Sequence, residues 1–303
     1  TLLGLGCPPP LPRWPHGKRA AATAGHDVDY PEVIRWLEPL RVVARRGLPG
    51  IGPALDLLAG KRSHWAFPLW VGMENDLGIR SAIYDVASAR YRKLCRFLIE
   101  EGYEIGLQAS YVASKSREKF AAEKMRLEEV CGQTVEGNRH HYWHLNPDDV
   151  EHTLLLHEQV GFMYDSSLIH DRYLGWRRGL LQPFFPFHQA ERRELKTLQI
   201  PLAWMDDQLF GQRAHNPGNR SEILRALAEQ TARLGGCLGI DIHEYVMDDS
   251  LFPGWAAAYR DLWGYLRDRG DFWFATPAAV AAHWIARHEA ILQSSQGLGE
   301  GSG

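Results

Sequence analysis

The chain has 303 residues, 45% of them hydrophobic, with 34 basic and 37 acidic side chains for a net charge of −3. That is enough to bury a large core as one α/β barrel or two smaller domains, and without a basic block nucleic acid is not an expected partner. Cys7, Cys95, Cys131 and Cys237 are scattered without a C-x-x-C, which fits neither a disulfide framework nor a cysteine-based zinc site.

No apolar run reaches the roughly 18 to 20 residues of a membrane span. The N-terminus, where CPPPLPRWP follows a few apolar residues, does not read as a signal peptide, so a cytoplasmic location is expected. Residues 1–17 read as an N-terminal extension, 18–292 as one barrel and 293–303 as a flexible tail.

In chain order, Lys18 to Tyr30, KRAAATAGHDVDY, is a run of small apolar residues that breaks into two acids one residue apart. In an extended strand Asp27 and Asp29 emerge on one face. Two carboxylates in one small volume need a cation or a shared proton, although a plain D-x-D also serves as a loop and a helix cap. Pro31 then suits a first helical position, and Val33, Ile34, Leu37, Leu40 and Val43 give an apolar face that Pro39 kinks. Leu48 to Gly78 reads as an excursion of short helices. A strand over Arg80 to Tyr84 runs straight into a helix over Val86 to Glu101, a junction shorter than βα connections usually are.

Beyond it the rhythm is regular. Strands are expected over Tyr103–Leu107, Thr134–Leu145, Phe162–Leu168, Leu198–Met205, Cys237–Ile242 and Phe272–Ala275. Helices are expected over Arg117–Val130, from Asn146-Pro147-Asp148 to Val160, and over Ser221–Leu234, Trp255–Arg269 and Pro277–His288, with a long aromatic and arginine-rich loop through Gln189. Strands alternating with crossover helices imply a parallel sheet covered by helices, and seven or eight such units close naturally as a barrel.

Polar residues collect where the strands end. These are Asp27 and Asp29; Gln108, Ser110 and Tyr111; Arg139 to His144; Tyr164 to Ser167; Asp206 and Asp207; and Asp241 with His243. Each cluster alone has a structural explanation, but several at one barrel face point to chemistry.

The ordered motifs AGHDVDY, YEIGLQASY, GNRHHYWHL, FMYDSSL, QIPLAWMDDQLF and GIDIHEYV resemble the polysaccharide deacetylase family of the NodB-homology type, in particular a branch whose first motif reads THDVD. The resemblance spans roughly residues 13 to 290 and rests on motif order. It implies a distorted (β/α) barrel with seven or eight parallel strands that removes acetyl groups from an N-acetylated sugar or related amide. It also implies a divalent, zinc-like metal held by one aspartate and two histidines. Matched by position, Asp27 would be the catalytic base, Asp29 the metal carboxylate, Arg139 the residue that orients the base, and His243 the general acid, its tautomer held by Asp241 or Asp165. The backbone N–H near Tyr142 would be the oxyanion donor, with Trp143, Tyr111 and Asp206 against the substrate.

The chain departs from the family's second motif, where Gln108 and Val112 replace histidines, and from its first, where Gly25 replaces threonine. A glutamine oxygen is a weaker ligand than imidazole for zinc-like ions. By strand alternation His141 shares the face of Arg139 and is the expected substitute ligand, with His144 next if a bulge resets the parity. His26, between the inward faces, is expected outside the barrel. Trp143, Trp176, Trp204 and Trp255 suit either a sugar platform or the core. Three functions follow as expectations: a metal-dependent deacetylase, a weakened glycan-binding member of the fold, or a metal-independent hydrolase of small ureide-like amides.

Overall fold

The computed structural model describes residues 12–28, 37–61, 67–85, 92–211, 220–249 and 252–299. Eight strands run in the order β8-β5-β4-β3-β2-β1-β10-β9, and β11 adds a ninth beside β1. They are β1 Ala20–Asp27, β2 Ala82–Asp85, β3 Glu104–Ala109, β4 Gly137–His140, β5 Tyr164–Asp165, β8 Leu198–Gln199, β9 Leu202–Met205, β10 Cys237–Asp241 and β11 Phe272–Phe274. A small hairpin, β6 Phe187–His188 with β7 Arg193–Glu194, sits apart in the long aromatic loop. Every pairing in the main sheet is parallel, so the expected distorted (β/α) barrel is what forms.

The outer layer holds α1 Glu38–Arg46, α2 Ile51–Leu58, α3 Phe67–Leu77, α4 Arg92–Glu100, α5 Arg117–Cys131, α6 Val150–Val160, a short α7 Asp206–Phe210, α8 Arg220–Leu234, α9 Trp255–Arg269 and α10 Pro277–Gly299. The start of the helix expected at Pro31 and the junction at 86–91 lie outside the described residues. Helix boundaries follow local chemistry. Asp149, not the Asn146-Pro147-Asp148 turn, caps α6 by accepting the His152 N–H at 2.9 Å, and Gly161 ends it at φ 80°. α10 runs on past His288, so residues 293–299, expected as tail, are helical backbone. Among the described residues no helix is long and apolar enough to cross a membrane.

The strand expected over Phe162–Leu168 is only the two residues of β5, and two further expected strands come out differently in ways that shape the site. Leu198–Met205 is not one strand. Its first part, β8, pairs with β5 at one edge of the sheet and its second part, β9, pairs with β10 at the other. Pro201, which has no N–H to give a ladder, stands at the break. The chain itself thus carries the sheet from edge to edge and closes the barrel. The strand expected over Thr134–Leu145 is also short. β4 ends at His140 and a single turn, His141–Trp143, follows.

Side chains of very unequal size fill the lumen. Tyr84, Tyr164 and Arg139 are buried there, and the facing strands make room with small residues, Ala20 to Gly25 above all. A Cβ on Gly25 would come 2.6 Å from the Tyr84 ring and 2.7 Å from the Arg139 guanidinium, so the family's threonine has no space here. A Cβ on Gly106 would meet the other edge of the same ring at 2.6 Å. The bottom of the barrel is closed by Trp14 of the N-terminal extension, fully buried against Trp273 and Trp284.

Gly106→Ala therefore overpacks the lumen at Tyr84. It should lower stability by about 1–3 kcal/mol, read as a lower urea midpoint at unchanged slope. An unchanged midpoint would mean that the ring has space the packing denies.

Candidate functional site

Strand alternation sends Gly25 and Asp27 of β1 inward and His26 outward. His26 bonds Ile242 O and Glu74 Oε1, both at 2.9 Å, beneath Trp70, outside the barrel as expected. Inside, the centre is the buried Arg139 at the end of β4. Its Nη1 donates to Asp27 Oδ1 and to Asp241 Oδ1, each at 2.8 Å, and its Nε donates to Ser166 Oγ at 3.1 Å. The guanidinium lies on the Tyr84 ring at 4.0 Å, a cation–π contact in a dry setting.

One guanidinium faces two buried carboxylates, leaving the group one negative charge in excess. Burial, opposed by Arg139 and reinforced by Asp27, pushes Asp241 up to about 7. One proton near neutrality is then part of the arrangement. Asp241 Oδ2 also accepts from the Trp143 indole at 3.0 Å.

A second unit stands beside it. The His243 backbone N–H donates to Asp206 Oδ2 at 2.7 Å, and His243 Nδ1 lies 3.0 Å from each Asp206 oxygen. Nδ1 thereby carries the proton and Nε2 is the working nitrogen. The residue that fixes this tautomer is Asp206, rather than Asp241 or Asp165. Asp206 is the first residue of α7, directly after β9, and its place at a strand end was the sequence signal for it. The charges of His243 and Asp206 both act on Asp241, so the two units share one electrostatic environment.

At the rim, the turn after β4 holds Tyr142 at φ 52° and Trp143 at φ 50°. Two consecutive non-glycine residues in the left-handed region cost on the order of 1–3 kcal/mol each, and the buried Trp143 bonded to Asp241 holds them there. The turn breaks the alternation on which the inward direction of His141 was based. The His141 ring instead meets Tyr142 at 4.4 Å and Tyr111 at 6.1 Å, and His144 meets Tyr111 at 4.5 Å. Tyr111 and Tyr142 are exposed at this rim. Trp143 packs with Ile169, Leu202 and Met205, and Trp176 and Trp204 belong to the core, so exposed tyrosines rather than tryptophans form the aromatic surface.

For the metal set of one aspartate and two histidines the described lumen fits poorly. Gln108 is buried at the end of β3 in the imidazole's place. Asp27 is engaged by Arg139, and Asp29 lies outside the described residues. Among the described residues one group of three ligand-type side chains converges, and it is elsewhere: His140, His157 and Asp165, buried between the sheet and α6. Asp165 belongs there and not with His243. Burial pushes the His140 and His157 rings down to about 3, so both are neutral at ordinary pH.

No family model and no curated protein matches the sequence. Solved structures do match in fold. A protein from Pseudomonas aeruginosa PAO1 assigned as a polysaccharide deacetylase is 20% identical with a TM-score of 0.65, covering 95% of this chain and 98% of that one. One from Mycobacterium smegmatis with the same assignment is 20% identical with a TM-score of 0.62, over 91% and 93% of the two chains. The Puue allantoinase is 19% identical with a TM-score of 0.63, over 95% and 97%. The chain has the fold these proteins share.

The raised Asp241 sets a pH dependence. A carboxyl that titrates near 7 when folded and near 4 when unfolded binds more protons in the native state, so its contribution to stability falls as pH rises between those values. Glu104, which burial also pushes up to about 7, adds the same sign. Asp241→Asn should remove the Asp241 part. The variant should gain on the wild type as pH rises from 4.5 to 7.5, by at most about 1.4 kcal/mol per unit, in urea unfolding. A difference constant with pH would contradict the raised value.

Proposed function

We propose that this protein hydrolyses the carbon–nitrogen bond of an amide, with the acetamide of an N-acetylated sugar as the first substrate class. The observation that carries the reading is the pair of units at one barrel mouth: a carboxylate held by a buried arginine, and an imidazole whose tautomer is fixed by its own carboxylate. A base and an acid kept apart by separate partners are what amide hydrolysis needs.

Asp27, oriented by Arg139, takes a proton from water as the water oxygen bonds to the carbonyl carbon. The developing oxyanion faces the backbone N–H groups of the strained turn at Tyr142, where preorganised donors act most strongly. As the carbon–nitrogen bond breaks, its electron pair goes to nitrogen and His243, entering as imidazolium with its Nδ1–H on Asp206, supplies the Nε2 proton; a carboxylic acid and an amine leave, and the proton held by Asp27 returns to His243 through water. Tyr111 and Tyr142 offer exposed aromatic faces suited to a sugar ring. No step here runs through a lumen metal, because of the expected ligands Gln108 is no imidazole, His141 lies against Tyr142 and Tyr111, and Asp29 is outside the described residues.

A second reading, a small ureide-like amide, is favoured by Gln108 itself, whose side chain can hydrogen-bond an amide group, and by the similarity in fold to the Puue allantoinase. Acetate release from a panel of N-acetylated sugars, set against consumption of small linear and cyclic ureides, separates the two. Turnover of neither class would sink the hydrolase reading.

In whichever assay succeeds, Asp27→Asn should lower kcat by at least about 100-fold with the fold intact by circular dichroism. His243→Ala should cost about 100-fold or more on an amide and less than about 10-fold on an activated acetyl ester, whose leaving group needs little protonation. Equal losses on amide and ester would make His243 structural.

A further inference from the structure

The histidine pair behind β4 is not used by this chemistry. His140 Nε2 and His157 Nε2 face each other at 3.0 Å, and Asp165 Oδ1 is 3.7 Å from His157 Nε2. All three side chains are fully buried, beside Phe120.

Two neutral imidazoles meeting through their Nε2 atoms can share one proton, and that satisfies this pair only in part. Asp165 accepts from Asn138 Nδ2 and Ser167 Oγ at 2.7 Å each and from the Ser167 N–H at 3.1 Å, all uncharged donors. Among the described residues no lysine or arginine reaches it. A buried carboxylate is thus left without a cation, which is costly. The Asn138 amide that bonds Asp165 has its other polar atom, Oδ1, buried without a partner. Two imidazole nitrogens and a carboxylate oxygen converging in one fully buried spot, the carboxylate with neutral donors alone, point to a missing positive charge.

We propose that His140 Nε2, His157 Nε2 and Asp165 Oδ1 bind a zinc-like divalent cation. Ligands at the usual zinc distances sit about 3.3 Å apart in a tetrahedron, so the 3.0 Å and 3.7 Å spacings at His157 each need a shift of a few tenths of an ångström, and all three ligand atoms lie within 4.8 Å of one another. Imidazole with one carboxylate suits zinc better than magnesium or calcium. With no exposure to solvent the site has no open position for water, so its role is structural. It clamps α6 to β4, which carries Arg139 on its opposite face, and to β5, which Ser166 directly follows. This does not rest on the hydrolase reading.

The test uses the full chain and zinc chloride alone. Diffraction from zinc-grown crystals at the zinc absorption edge should give an anomalous peak within bonding distance of both Nε2 atoms. Absence of a peak there overturns the proposal, whatever peaks appear in the lumen, which bear on the hydrolase site only. In solution the purified protein should hold about one equivalent of zinc through dialysis and lose thermal stability when a strong chelator strips it. His157→Phe, matched to the neighbouring aromatic layer, should lower zinc affinity at least 100-fold, whereas Gln108→Ala in the lumen should leave it unchanged. Equal zinc binding by wild type and His157→Phe also overturns it. Should His157→Phe fail to fold, the diffraction result on the unmodified chain decides.

Discussion

The arrangement depends on one buried guanidinium. Arg139 is held by Asp27, Asp241 and Ser166 and lies on the Tyr84 ring, so removing it would leave two acids facing each other with no countercharge. Such a group persists in a dry interior only if all its donors are satisfied and space is made for its plane. The space comes from Gly25, and Tyr84 beneath it is fitted by Gly106. Glycines that look like weak points in their strands are therefore what allows the centre to exist.

From that centre hydrogen bonds run down the lumen. Ser166 Oγ donates to Tyr84 OH at 3.1 Å, Tyr84 OH and Tyr164 OH are 2.9 Å apart, and Tyr164 OH donates to Glu104 Oε1 at 2.5 Å. Glu104 Oε2 in turn accepts the Ala278 N–H at 2.8 Å, at the start of α10. The polar core is thereby connected from the strand ends to the barrel floor. A chain of this kind, each member satisfied by the next, fixes the positions of its members more tightly than apolar packing alone would.

Much of this was legible in the sequence because it follows from period and order. Strands alternating with helices gave the barrel, and polar residues at strand ends gave Asp27, Arg139, Asp241 and His243. Legibility stopped where tertiary contact overrides local pattern. Leu198–Met205 is apolar apart from Gln199, as a single buried strand would be, and only the sheet edges tell that it serves two. The direction of His141 followed from alternation, which holds only while the strand lasts, and β4 ends one residue earlier. The pairing of His140 with His157 joins a strand to the helix after it, a contact no periodicity encodes. Asp206 was visible as a strand end, but its partner was not.

The end of β4 at His140 is itself a consequence of the centre. If the strand ran on, alternation would aim Trp143 along the same side as Arg139 in an extended register. Instead the chain folds back over His141–Trp143, and the Trp143 indole reaches Asp241 Oδ2, the oxygen that Arg139 does not occupy. The two oxygens of Asp241 thus tie the arginine on β4 and the turn after it to the same carboxylate on β10, across the barrel. Strain at Tyr142 and Trp143 persists because releasing it would unpair a buried carboxylate oxygen and expose a buried indole, costs of the same order as the strain. The backbone of the turn is held in place by the same acid that shares Arg139 with Asp27, so the position of the N–H groups at the mouth and the electrostatics of Asp27 are set together.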